Sequence, residues 1–143
     1  MTEEDFQSTC RFVYENKDNG KRPVFQLDYL DDWLKWAMEK EWMFINKVNN
    51  EVNGVVIIYP IGRWAETPTL EDVFRCSGNT YVDNDYFIMD ALVDNEDARA
   101  NICRQSDNRF PEIRGDENSQ IFSQRGDIVQ KLKKDLIINL TNN

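Results

Sequence analysis

The residue of this chain with the clearest potential for chemistry is Asp90, which interrupts the apolar run YFIMDALV at 86–93. A carboxylate that points from a strand into a cleft can have a raised pKa and then act as a general base. The alternative is a solvated acid at an edge or cleft, because a single carboxylate in a strand is not a catalytic motif. The sequence leaves both interpretations of Asp90 open.

The chain has no histidine, and its three cysteines form no Cys-x-x-Cys pair. The absence of histidine excludes Ser-His-Asp and Cys-His nucleophilic machinery and removes the usual general base near neutral pH. It also argues against a zinc site of the Cys and His type, so we expect no metal. The scattered cysteines, Cys10, Cys76 and Cys103, are typical of reduced thiols in a cytosolic protein.

Four arginines recur at steps of five residues, Arg99, Arg104, Arg109 and Arg114. Such a row can in principle bind phosphates. Five residues advance about 140° around an α-helix, however, so the four side chains cannot share one helix face. We therefore interpret them as solvated or locally paired arginines.

Length and charge predict one acidic globular domain that spans residues 1–143. The chain has 143 residues, 41% of them hydrophobic, and a net charge of -9. Residues 1–97 carry a net charge of -11 and residues 98–143 carry +2, which argues against a nucleic-acid-binding surface across the whole protein and leaves open a local basic patch near the C-terminus. No run of about 18 apolar residues and no apolar leader occurs, so we expect no membrane partner and a cytoplasmic location.

Helical periodicity and capping signals predict three helices. Thr2 precedes three acids and then apolar residues at helical spacing, which indicates a helix over about 3–17. Asp28 opens a second helix with an apolar stripe that ends near Met38. The pair Asp94-Asn95 caps a helix that runs from about Glu96 to Ser106.

The stretch WMFINKVNNEVNGVVIIYP at 42–60 predicts an antiparallel hairpin whose second strand is covered on both faces. The alternative, a single buried helix, is weakened by β-branching and by Asn53-Gly54. Residues 86–93 form a further apolar strand, after a long connection at about 61–84 that holds a short helix at Leu70 to Arg75. Near the end of the chain the pattern indicates four segments: a strand at 110–114, a hairpin of 120–124 with 127–132, and an apolar element at 136–140.

This order of elements predicts an α+β fold, in which helices pack on a mixed, mainly antiparallel sheet. It resembles the GNAT acyltransferase fold, and in particular the shortened GNAT-like proteins of tailed phages. The resemblance is carried by the hairpin at 44–59, by YFIMDALVDNEDARANI at 86–102, by RFPEIRG at 109–115 and by SQRGDIV at 123–129. In such enzymes a Q/R-x-x-G-x-G/A loop follows the central strand and holds the pyrophosphate of acyl-CoA on backbone amides. Here residues 93–99 read VDNEDAR, with three acids and no glycine, and these acids would repel a pyrophosphate.

The resemblance implies two alternative roles for its candidate residues. In a working acyl-CoA N-acyltransferase, Asp90 would be the base, Tyr59 or Tyr86 would protonate the leaving thiolate, and the segment Ala91, Leu92, Val93 and Asn95 would hold the cofactor. In a domain that has lost the acyl-CoA loop, the same scaffold would be non-catalytic and would bind a protein partner.

We expect the second role, with no cofactor and with a phage structural protein or a host protein as partner, so that incorporation into a virion is a second predicted location. Three tryptophans are candidate partner-binding residues because aromatic side chains anchor interfaces: Trp36, Trp42 and Trp64. A third hypothesis is an acidic decoy that mimics DNA phosphates, motivated by the charge of residues 1–97. The sequence does not specify the oligomeric state.

Overall fold

The structure is a computed structural model that describes residues 1–16, 30–77, 83–125 and 127–133. Within these ranges, five side chains are not described, those of residues 30, 31, 90, 91 and 125. The helices are α1 (Glu3–Asn16), α2 (Leu30–Glu39), α3 (Leu70–Arg75), α4 (Glu96–Arg109) and α5 (Glu112–Gly115). The strands are β1 (Met43–Val48), β2 (Glu51–Gly62), β3 (Asp85–Val93), β4 (Ile121–Arg125) and β5 (Ile128–Leu132).

The five strands form one sheet in the order β1-β2-β3-β4-β5. All neighbours are antiparallel except β3 and β4, which run parallel. A parallel pair needs a crossover connection, and α4 supplies it. The predicted α+β class, a mixed and mainly antiparallel sheet with helices packed on it, is confirmed.

The β1–β2 hairpin turns at Asn49 and Asn50, where φ is 54° and 67°. Positive φ at both central residues defines the tight turn that matches the twist of the flanking strands, and asparagine tolerates this conformation. After the turn, β2 is buried along almost its whole length. The prediction of a central strand covered on both faces is therefore confirmed.

Helices cover the two faces of the sheet. On one face, the ring of Tyr59 contacts Trp36 of α2, and Phe87 contacts Phe74 of α3. On the other face, Tyr86 contacts Phe110 at the end of α4. Because neighbouring residues of a strand point to opposite faces, α2 and α3 lie on one side and α4 on the other. Helix α1 packs on β2 and α2.

Local signals set most element boundaries. Thr2 accepts a hydrogen bond from the backbone nitrogen of Asp5 at 3.1 Å, and Asn95 accepts one from that of Ala98 at 2.9 Å, so the predicted starts of α1 and α4 are confirmed. The short helix after Thr69 is also confirmed, with a reciprocal capping box between Thr69 and Asp72.

The predicted strand at 110–114 is wrong, because this segment contains α5, Glu112–Gly115. Its single buried side chain, Ile113, lies against the sheet face that α4 covers. A five-residue segment with Pro111 and few apolar residues contains too little periodicity to separate a turn of helix from a strand. The predicted second helix is confirmed as α2, Leu30–Glu39, whereas its predicted start at Asp28 and the predicted element at 136–140 fall outside the described residues. No helix of the described ranges has the length and apolar character needed to cross a membrane.

Candidate functional site

A bulge in β3 changes the face of the sheet that its later residues occupy. The register of β2 against β3 shifts between Ile57 and Ile58, which leaves Met89 as an extra residue. In a regular strand, Ile88 and Val93 would point to opposite faces because they are an odd number of positions apart. The extra residue brings them to one face, and both line the same cavity.

This cavity has a volume of about 300 Å³ and lies between α4 and the sheet. Ten of the described residues line it, and seven of these are aliphatic: Val56, Ile58, Ile88, Val93, Ile102, Ile113 and Ile121. The other three belong to α4, Arg99, Cys103 and Ser106. The cavity is therefore apolar on its sheet side, and α4 supplies its polar groups.

The residues of α4 that reach the cavity lie on one face of the helix. Arg99, Ile102, Cys103 and Ser106 are spaced by three and four positions. The Ser106 hydroxyl donates a hydrogen bond to the carbonyl of Cys103 at 2.9 Å. Burial, and next the negative charge of Asp107, raise the pKa of the Cys103 thiol, and the positive charge of Arg99 opposes this. A neutral thiol contributes an apolar surface to the cavity.

Arg99 differs from the other lining residues because its side chain is exposed. Its guanidinium has no acceptor among the described residues, although other arginines are paired, such as Arg63 with Asp85 and Asp116. Arg99 therefore presents a positive charge where the cavity meets solvent.

The cavity lies next to the point where the sheet opens. The parallel pairing of β3 with β4 covers Tyr86 to Ile88 on β3. Beyond Ile88, the described residues of β3 pair with β2 alone, as far as Val93. The end of this pairing and the bulge at Met89 fall at the same place, which lets the residues of β3 diverge from β4 beneath α4.

The start of α4 is closed by its own cap. The side-chain oxygen of Asn95 accepts a hydrogen bond from the backbone nitrogen of Ala98. The flanking acids Asp94, Glu96 and Asp97 are all exposed. Negative charge at a helix start is favourable for the helix dipole. An anion placed on the backbone amides of this helix start would therefore meet these carboxylates and the cap.

The other residues of the predicted cofactor segment lie on β3. Asp90 pairs through its backbone with Ile57, and Ala91 pairs with Val56; the side chains of Asp90 and Ala91 are outside the described part of the structure. Leu92 is half-buried opposite Val55. Of the predicted site residues whose side chains the structure describes, only Val93 is among those that line the cavity.

The two candidate tyrosines occupy different environments. Tyr59 is fully buried on the sheet face that α2 and α3 cover, here called the aromatic face, where its ring contacts those of Trp36 and Phe87. Its hydroxyl has no hydrogen-bond partner in the described ranges. Tyr86 lies on the opposite face, and its hydroxyl donates a hydrogen bond to the Glu112 carboxylate. Burial raises the pKa of both phenols, and the bond to Glu112 adds to the increase for Tyr86.

The three candidate tryptophans are packed to different degrees. Trp42 is buried, and Trp36 is half-buried between Trp42 and Tyr59, with ring centroids 5.1 Å and 5.7 Å away. Trp64 is also half-buried, and its indole nitrogen donates a hydrogen bond to the carbonyl of Ile61 at 2.9 Å. The exposed end of this aromatic face is Phe74, which is 39% exposed and contacts Trp33.

Sequence reasoning did not find the cavity or the role of Arg99 in it. The face made by positions 99, 102, 103 and 106 was visible as helical spacing. The sheet wall of the cavity was not visible in the sequence, because strict alternation along β3 assigns Ile88 and Val93 to opposite faces.

The fold and the site together define a small α+β protein with a mixed five-stranded sheet and an apolar cavity under its crossover helix. Comparison of the chain with protein-family models, with curated proteins and with solved structures gave no match.

Proposed function

We propose that this chain is a non-catalytic domain that binds a protein partner and is built on an acyltransferase-like scaffold. The order of hairpin, strand, capped helix and final hairpin supports the scaffold. The phage setting implied by the resemblance makes a virion component or a host protein the expected partner.

The observation that carries the proposal is the start of α4. The resemblance would put the pyrophosphate of acyl-CoA there, on free backbone amides. Instead, Asn95 caps the helix, and three exposed acids surround it, Asp94, Glu96 and Asp97. Both features disfavour a bound pyrophosphate, the first by occupying an amide and the second by repulsion.

The environments of the tyrosines also favour a non-catalytic role. A general acid must deliver its proton to a substrate within hydrogen-bond reach. The hydroxyl of Tyr59 is buried and has no hydrogen-bond partner among the described residues, and that of Tyr86 is engaged with Glu112. Their raised pKa values make proton release still less favourable.

The surface proposed for the partner is the exposed end of the aromatic face, formed by Trp33, Trp36 and Phe74. Trp33 contacts both of the others, with ring centroids 5.6 Å and 6.4 Å away. Aromatic side chains are enriched at the centres of protein interfaces, where they give large contact area at low entropic cost.

Titration with acetyl-CoA, followed by thermal denaturation, tests the loss of the cofactor site. A ligand that binds the native state must raise the apparent melting temperature, and we expect no shift. The double variant E96Q/D97N is the matched control, because removal of two repelling charges should allow weak binding if the scaffold is acyltransferase-like. A rise in melting temperature for the unmodified protein would contradict the proposal.

Cross-linking in the native host, followed by mass spectrometry, tests the partner surface. We expect Phe74→Ala to reduce the yield of one specific cross-linked partner by about tenfold, as for a truncated interface anchor. Val48→Ala is the control, since Val48 is 54% exposed at the end of β1 and away from the aromatic face. Equal yields for both variants would exclude this surface.

The alternative is an acyl-CoA N-acyltransferase with a non-standard cofactor site. The observation that favours it is the apolar cavity beside the end of the β3–β4 pairing. In this alternative Asp90 is the base, and an amide of segment 91–93 polarises the thioester. The acetyl-CoA titration separates the two functions, and loss of a measured transfer activity in Asp90→Asn would support the enzyme.

A further inference from the structure

We propose that the cavity beneath α4 binds a single unbranched monocarboxylate of about eight carbons, with its chain against the sheet and its carboxylate at Arg99. This inference goes beyond the proposed function and does not depend on it.

The size of the cavity sets the size of the ligand. Its volume is about 300 Å³, and an apolar cavity of about half that size can already hold benzene. At roughly 30 Å³ for each non-hydrogen atom, taking the share of one water molecule as the measure, the cavity accommodates about ten such atoms. Octanoate has this number.

The lining sets the chemistry of the chain. The aliphatic side chains of β2, β3, β4 and α5 offer no hydrogen-bonding group, and the Ser106 hydroxyl is already engaged with the carbonyl of Cys103. A polar ligand placed against them would lose its hydrogen bonds to water without replacement. A hydrocarbon chain gains free energy from the same transfer.

The charge at the mouth sets the head group. Arg99 is exposed, and among the described residues its guanidinium has no acceptor. A carboxylate matches the planar donors of arginine in a bidentate geometry. The ligand class that satisfies the lining and Arg99 together is a monocarboxylate with an apolar chain.

Calorimetric titration with a chain-length series of carboxylates tests the apolar part of the site. From butanoate to octanoate, we expect the affinity to rise about fourfold for each added methylene. The rise should stop when the cavity is full, so dodecanoate should gain nothing over octanoate. Absence of octanoate binding, or an affinity that does not change with chain length, would overturn the proposal.

Titration with octanol, which has the same chain without the charge, tests the head group. We expect octanol to bind about tenfold more weakly than octanoate, because a charged hydrogen bond is lost. In Arg99→Gln the affinity for octanoate should fall about tenfold and that for octanol should not change. Arg104→Gln is the control, because it also removes one positive charge from an exposed position of α4. It should leave the affinities for octanoate and octanol unchanged. Equal effects of the two substitutions would exclude a carboxylate at Arg99.

Cys103→Phe tests the location of the site, because the larger side chain extends into the cavity from its α4 wall. Binding of both octanoate and octanol should be lost while the circular dichroism spectrum stays native. Amide shifts in the nuclear magnetic resonance spectrum of the unmodified protein give an independent measure. Octanoate should shift the amides of Ile88, Val93 and Cys103; shifts confined to the opposite face of the sheet would overturn the proposal.

Discussion

Asp85 and Gln120 are joined by two hydrogen bonds at the beginning of the parallel strand pair. The backbone nitrogen of Gln120 donates to Oδ1 of Asp85 at 2.8 Å, and its side-chain Nε2 donates to Oδ2 at 3.0 Å. The same buried carboxylate accepts hydrogen bonds from the backbone nitrogen of Trp64 at 2.9 Å and from Arg63 at 3.2 Å. One side chain therefore fixes the end of β2, the start of β3 and the entry to β4.

We predict that Asp85→Asn lowers the free energy of unfolding by about 2–3 kcal/mol, because charge-assisted hydrogen bonds to a buried carboxylate are lost. Urea denaturation measures this change. Asp83→Asn is the matched control, since Asp83 is exposed two residues earlier, and its effect should stay within about 0.5 kcal/mol. Equal midpoints for the two variants would show that the Asp85 cluster contributes no stability.

Removal of a tyrosine hydroxyl should have opposite effects at two positions. In Tyr59→Phe, a buried hydroxyl without a partner among the described residues is removed, so the free energy of unfolding should rise by about 1 kcal/mol. In Tyr86→Phe, the hydrogen bond to Glu112 is lost, and stability should fall by a similar amount, about 1 kcal/mol. Thermal denaturation of the two variants measures both signs. A loss of stability in Tyr59→Phe would contradict the buried, unpaired hydroxyl.

At Gly54 the backbone of β2 lies close to side chains of α4 and β3. A Cβ atom at this position would lie 3.1 Å from Cδ1 of Ile102 and 3.4 Å from Cγ1 of Val93. Gly54→Val should therefore lower stability by about 2 kcal/mol through overpacking. Gly115→Val is the control, because a Cβ atom there meets nothing within 4 Å beyond its chain neighbours and the backbone of its own helix. Chemical denaturation compares the two, and a smaller loss at Gly54 than at Gly115 would argue against close packing of α4 on the sheet.

The dependence of stability on pH should carry two contributions of opposite sign. Burial raises the pKa of Asp107 above 3.8. The unmodified protein therefore loses stability as pH rises from the unfolded pKa through the raised folded pKa. Asp107→Asn lacks this titration, so its stability relative to the unmodified protein should increase over the same pH range. The hydrogen bond from Lys47 lowers the pKa of Asp5 below 3.8, so its contribution is present above 3.8 and is lost as pH falls through the lowered pKa. The difference in free energy of unfolding between Asp5→Asn and the unmodified protein should therefore become smaller as the pH is lowered.

Urea midpoints collected at several pH values on both sides of the ordinary aspartate pKa of about 3.9 check these slopes. The direction of the slope is the readout, because the ion pair with Arg114 forms only with the ionised Asp107 carboxylate and its opposing effect is already contained in the net rise of the Asp107 pKa. Parallel curves for Asp107→Asn and the unmodified protein would contradict the raised pKa.

Much of the fold follows from local features of the sequence. The asparagines at 49–50, the cap at Asn95 and the β-branched run at 55–58 each specify their element through interactions between near neighbours. The short helix α5 could not be predicted, because a single turn of helix depends on its packing, here through Ile113, more than on its own residues.

The candidate site was less accessible to prediction for the same physical reason. The Asp85 cluster joins residues 85, 120 and 63–64, which are distant along the chain, and no local pattern records such a contact. The cavity depends on a one-residue bulge at Met89. A bulge leaves the composition and apolar content of a strand unchanged. Which face of the sheet the following side chains occupy is therefore known only once the register of the strands is known.

The parallel pairing between β3 and β4 is short and covers only Tyr86 to Ile88 on β3. We expect the sheet to open more easily between these two strands than between its antiparallel neighbours. The strands β1 to β3 are joined by long antiparallel ladders, whereas the β4–β5 hairpin is attached to them by this brief contact and by the Asp85 cluster. Amide protons of the hairpin should therefore exchange with solvent through a partial opening that leaves β2 protected. We expect the β4–β5 hairpin to open in native conditions before the ladders that join β1 to β3.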